Sequence, residues 1–152
     1  MTRSIYVSLL FSSLLFSCSK DDNKAQSATV SDITFSSCNN SFKSSISDSV
    51  CVTATSTEAN YLTFTHKGAE FCCATEKMDV ELAISGDTIF IHEVDKGPMS
   101  YCFCEHDLSY TFGPLEYGKY EVKIIESENS YNRDTIMFEL NHSLKTNFTN
   151  CK

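Results

Sequence analysis

Short runs that alternate between apolar and polar residues, each closed by a turn signal, constrain this chain more than any other feature. The clearest run is Met78 to Ile84, in which Met78, Val80, Leu82 and Ile84 share one phase while Asp79 and Glu81 take the other. A two-residue period puts alternate side chains on opposite faces of an extended strand, one for a core and one for water. Ser85-Gly86-Asp87 follows as a turn, and Thr88 to Val94 reads as the partner strand of a hairpin. Comparable runs are Val30 to Phe35, Val50 to Thr55, Tyr61 to His66, Tyr101 to Phe112, Lys119 to Ile125 and Thr135 to Leu140. Leu62 and Phe64 share a face in the third of these, and Tyr120, Val122 and Ile124 share one in the fifth. No window sustains a period of 3.6, so little helix is expected. About seven to nine short strands at this spacing predict an all-β fold, an antiparallel β-sandwich.

One segment sharpens the fold class. Leu115-Glu116-Tyr117-Gly118-Lys119-Tyr120-Glu121-Val122 resembles the L-x-x-G-x-Y-x-V corner of immunoglobulin-like and fibronectin-like domains. The resemblance implies an immunoglobulin-like sandwich in which Tyr120 buries its ring and returns its hydroxyl to the corner's backbone. Gly118 would then supply the backbone freedom that a tight corner needs.

The first residues carry an address rather than a fold. Arg3 is followed by an apolar stretch from Ile5 to Phe16, too short for the roughly 20 residues that span a bilayer. A charged start, a short apolar run and small residues before a cut describe a secretory signal. Leu15-Phe16-Ser17-Cys18 resembles the bacterial lipobox, which implies removal of residues 1–17 and acylation of Cys18. Acyl chains contribute about 0.8 kcal/mol per buried CH₂, so outer-membrane lipid becomes the first partner. Residues 18–29 are polar and lack aromatics, as a flexible tether should. Within them Ser19-Lys20-Asp21-Asp22 resembles the lysine-acidic tags of Bacteroidota lipoproteins, implying an outer-membrane anchor that faces outside. Residues 30–152 then form one sandwich domain, with a polar C-terminal tail from residue 141.

Composition narrows the function classes. Twenty acidic residues outnumber twelve basic ones, and no Lys/Arg cluster interrupts the acidity, which argues against a nucleic-acid partner. There is no G-x-S-x-G elbow, H-E-x-x-H, Walker loop or dinucleotide-binding glycine pattern, so neither an enzyme nor a cofactor is expected.

Cys18 aside, the cysteines are Cys38, Cys51, Cys72, Cys73, Cys102, Cys104 and Cys151. Export makes disulfides their default state, and an odd number leaves one over from pairing within the chain. Neighbours at i,i+1 diverge and those at i,i+2 run parallel, so none of Cys72/Cys73 or Cys102/Cys104 is placed to bridge its own neighbour. A bridge between one member of each couple is the preferred expectation, with Cys51 a further candidate partner. Cys38 with Cys151 could close the body, and Cys38 with Cys51 remains open. The alternative is a metal or redox site drawn from Cys72, Cys73, Cys102, Cys104 and His66, since thiolate with imidazole suits zinc or Cu(I). His106 shares the phase of Cys102 and Cys104, and His92 lies on another strand that could converge.

Asp48-Ser49-Val50, Asp87-Thr88-Ile89 and Asp134-Thr135-Ile136 resemble the Asp-Ser/Thr-aliphatic sites at which Bacteroidota attach O-glycans. A wider resemblance runs from His66 to Val122. His66 with Phe71-Cys72-Cys73, then Cys102-Phe103-Cys104 with Asp107-Leu108-Ser109-Tyr110, then Leu115 with Gly118-Lys119-Tyr120 together resemble small uncharacterised Bacteroidota lipoproteins. That resemblance implies an anchored β-sandwich without an established activity, and an aromatic where His106 stands. The reading is a surface-exposed, non-catalytic envelope lipoprotein that binds a protein or glycan or serves as a structural module.

Overall fold

Each alternating run becomes a strand, and several extend beyond the residues that first mark them. The computed structural model describes residues 27–38, 50–58, 60–98, 101–128 and 131–151. The expected leader, Cys18, the tether up to residue 26 and the serine-rich segment 39–49 lie outside the described residues. The strands are β1 (Thr29–Phe35), β2 (Cys51–Glu58), β3 (Tyr61–Cys72), β4 (Met78–Ser85), β5 (Thr88–Asp95), β6 (Phe103–Gly113), β7 (Gly118–Glu128), β8 (Tyr131–His142) and β9 (Asn147–Cys151). No helix occurs among the described residues.

Two sheets pack face to face, one ordered β1-β6-β3-β2-β9 and the other β4-β5-β7-β8. Their inner faces follow the alternation read from the sequence. Leu62, Phe64, Leu108, Tyr110 and Phe112 from the first sheet meet Ile89, Ile91, Val122, Ile124 and Leu140 from the second. Phe64 stands beside Phe112 with ring centroids 4.9 Å apart. Such aromatic and branched side chains, fully withdrawn from water, supply the main force for closing the sandwich.

Gly86, with φ near +58°, permits the tight turn between β4 and β5, where Ser85 pairs with Thr88. At the corner before β7, Tyr120 donates its hydroxyl hydrogen to Glu116 O at 2.9 Å, the return contact expected of a tyrosine corner. The expected role of Gly118 does not hold. Its φ is not positive, and a Cβ there would approach nothing closer than the Tyr120 ring at 3.7 Å. The close approach falls instead at Gly113, where a Cβ would lie 2.6 Å from Asn60 O.

Two further expectations are corrected. The sandwich is not wholly antiparallel, because β5 and β7 pair in parallel. The chain leaves β5, crosses through β6 in the other sheet and returns, so two reversals restore its direction. Nor is the segment after residue 141 merely a tail. Asn147–Cys151 adds to the exposed side of β2 in antiparallel register, Cys51 opposite Cys151, and Phe148 stacks on Phe138 of β8 at 4.8 Å. The polar composition of this stretch fits an edge strand, half of whose positions face water.

β1 is the opposite edge of the same sheet. Its register with β6 shifts between Ser31 and Thr34, where Asp32 adopts φ near +53°. Thr29 pairs with Gly113 and Phe35 with Leu108, so the chain enters at the end holding Asn60 and the Pro114–Gly118 corner. From Ser36 it reaches Cys38 at the other end of the sandwich.

Candidate functional site

Among the described residues, two clusters bring metal-ligating or titratable side chains together, one sealed between the sheets and one at the end where β1 finishes. The first arises because three strands place an ionisable residue at an inward phase. His66 follows Leu62 and Phe64 in β3, Glu93 follows Ile89 and Ile91 in β5, and Glu126 follows Val122 and Ile124 in β7. His66 and Glu93 are fully buried. The Nδ1 of His66 lies 2.7 Å from Glu93 Oε2, and the Tyr110 hydroxyl donates to Glu93 Oε1 at 2.8 Å. Nε2 of His66 makes no hydrogen bond and meets Glu126 Oε1 as an ion pair at 3.5 Å.

The electrostatics follow from that geometry. Burial alone would pull the His66 pKa down, but the Glu93 charge and hydrogen bond, then Glu126 and Asp107, outweigh it and the net shift is upward. Tyr110 is held well above its ordinary range by burial and then by Glu93. One sheet thus contributes His66 and Tyr110, the other Glu93 and Glu126, and the group ties the layers together across the core. Imidazole and two carboxylates within 4.8 Å of one another are also a donor set for a divalent ion. The short Nδ1–Glu93 bond already engages two of those donors with each other, which favours the proton-bridged pair.

The second cluster gathers cysteines. Disulfides join Cys73 to Cys102, Cys38 to Cys104 and Cys51 to Cys151. The first joins one member of each cysteine couple, as the strand geometry favours. The Cys38–Cys151 and Cys38–Cys51 pairings do not occur, because β9 carries Cys151 alongside Cys51 while β1 delivers Cys38 to β6. Cys72 stays outside the bridges, buried, with its thiol directed to Pro98 O at 3.4 Å. The sulfurs of Cys38, Cys73 and Cys104 all lie within 4.8 Å of one another, so two disulfides sit side by side.

His106 borders this group. It is buried in β6, two residues beyond Cys104 on the same face, with Nδ1 at 2.8 Å from Ser36 O and Nε2 at 3.3 Å from Cys104 Sγ. Of the residues expected to form a metal or redox site, the structure therefore unites Cys73, Cys102 and Cys104. It adds Cys38 and His106, and it separates His66, whose nitrogens face carboxylates. Cys72 points its sulfur to the Pro98 carbonyl, and His92 is half-buried opposite Glu81 and Ile125.

Among the other sequence sites, Thr88 is half-buried at the start of β5 and Thr135 is exposed on β8, while Asp48 and Ser49 lie outside the described residues. A shallow groove of about 410 Å³ beside the corner is lined by Lys119, Tyr120, Glu121, Glu139, Leu140 and Asn141. No protein-family model, no curated protein and no solved structure matches the chain.

Proposed function

We propose that this protein is a non-catalytic envelope module, held to outer-membrane lipid through acylated Cys18, that offers the cysteine-tied end of its sandwich to a protein or glycan partner. The direction of β1 carries the reading. A tether attached at Thr29 emerges beside Gly113, leaving Tyr101 and Phe103, both exposed, at the opposite end. Exposed aromatics on a rigid, cross-linked end are a low-entropy binding surface. The non-catalytic part draws support from the interior triad, whose fully buried His66 and Glu93 are engaged with each other.

Two measurements test this. Metabolic labelling with an alkyne fatty acid should mark the wild-type chain and spare Cys18→Ala, and equal labelling would remove the anchor. A glycan array probed with the full chain should show binding without turnover, weakened by Tyr101→Ala and Phe103→Ala. Chemical conversion of an arrayed glycan would overturn the reading. A metal-binding or redox role is the second reading, favoured by the approach of the Cys38, Cys73 and Cys104 sulfurs.

A further inference from the structure

We infer that Cys38, Cys73, Cys104 and His106 form a redox-gated site for one thiophilic divalent cation of the zinc type, closed while the disulfides are intact and opened by their reduction. The inference deepens the second reading above and depends on it.

The starting observation is an imidazole nitrogen that faces a disulfide sulfur. The Ser36 carbonyl is only an acceptor, so Nδ1 of His106 must carry the proton in their 2.8 Å contact. In the neutral ring Nε2 is then a bare lone pair. It faces Cys104 Sγ at 3.3 Å, and a disulfide sulfur has no hydrogen to donate. His106 is 1 % exposed, so bulk solvent does not reach the ring. A lone pair fixed by a backbone carbonyl behind the ring and aimed at sulfur is the posture of a metal-ligating histidine.

The other donors are already assembled. Cys104 and His106 share a strand face, Cys73 is held beside β6 by the bond from its N–H to Cys102 O at 2.9 Å, and Cys38 arrives from β1. Three sulfurs within 4.8 Å of one another suit a tetrahedral centre whose metal–sulfur bonds are about 2.3 Å. Three cysteines with one histidine is a closed, structural type of donor set.

The chemistry balances. Each disulfide takes two electrons and two protons from a dithiol donor, which becomes a disulfide. Opening Cys38–Cys104 and Cys73–Cys102 gives four thiols. The cation displaces the protons of Cys38, Cys73 and Cys104, binds Nε2 of His106 directly, and leaves Cys102 as a thiol.

Cobalt(II) is the probe, added without oxygen to the full chain in detergent after reduction with a water-soluble phosphine. We expect one cobalt per chain with a strong thiolate-to-metal band, and no such band before reduction. His106→Ala should weaken binding by about 10- to 100-fold or more. Cys38→Ser, Cys73→Ser and Cys104→Ser should each abolish the band, and Cys72→Ser should leave it. Added zinc should protect Cys38, Cys73 and Cys104 from alkylation but not Cys51, Cys102 or Cys151. If reduction costs the chain its β-type circular dichroism, zinc should restore it, and failure to do so overturns the site. Opened bridges without cobalt binding overturn the site and leave the redox reading standing. Bridges that resist the phosphine in the folded chain overturn both.

Discussion

Glu93 is the residue on which the interior depends. Both of its oxygens are engaged, one by His66 and one by Tyr110, at full burial. Removing one member of a buried charged pair leaves the other uncompensated, so Glu93→Ala should cost about 3–5 kcal/mol in urea unfolding. A loss below 1 kcal/mol, about the value of an exposed pair, would mean the group is solvated in solution. The His66 pKa is raised in the folded state, so its contribution is complete below the unfolded value of 6.5 and is lost as pH climbs through the higher folded value. His142 behaves oppositely. Burial lowers its pKa against a smaller opposing contact with the Leu115 backbone, so its contribution holds above 6.5 and fades as pH falls through the lowered value. Urea midpoints across pH should therefore decline on both sides, and His66→Gln should flatten the alkaline decline. An unchanged alkaline limb in that variant would assign the loss to other groups. This triad was legible in part. Strand phase marks His66, Glu93 and Glu126 as inward, but phase along one strand does not say which inward residues of different strands will meet.

At the scale of elements, the alternation located the strands well because the side-chain period is a local property. Their lengths were less legible: β3 continues past Gly68, where φ is near +73° and the register with β6 shifts, obscuring the alternation. β9 was hidden for a different reason, since an edge strand with half its positions wet reads as a polar tail. Cysteine pairing depends on strand order, which composition does not encode, and so only the Cys73–Cys102 bridge followed from local geometry. The Cys51–Cys151 bridge spans a separation of 100 residues. Loop-closure entropy then predicts a stabilisation of up to about 4.7 kcal/mol. The Cys51→Ser/Cys151→Ser double variant should lose about 2–5 kcal/mol. Hydrogen exchange should quicken first along β9 and β2, and uniform quickening across both sheets would show that β9 is no separate unit.

At the scale of the whole molecule, the entry point of β1 gives the proposed anchor an orientation. With a lipid-bound tether at Thr29, the corner end would face the membrane, while the loop at Lys96–Pro98 lies at the far end near Cys72. A short epitope inserted after Lys96 should bind antibody on intact cells, whereas one inserted after Ser143 should be shielded. Equal staining at both positions would contradict the orientation.

The irregular edge at β1 acquires a meaning in such an arrangement. If the proposed lipid anchor holds, neighbouring copies would share a plane, with their outer strands side by side at high local density. A straight edge there would invite backbone pairing from one copy to the next and growth of a continuous ribbon. The kink at Asp32, with its exposed carboxylate, interrupts that match and would let a crowded lawn of such molecules remain a population of individuals.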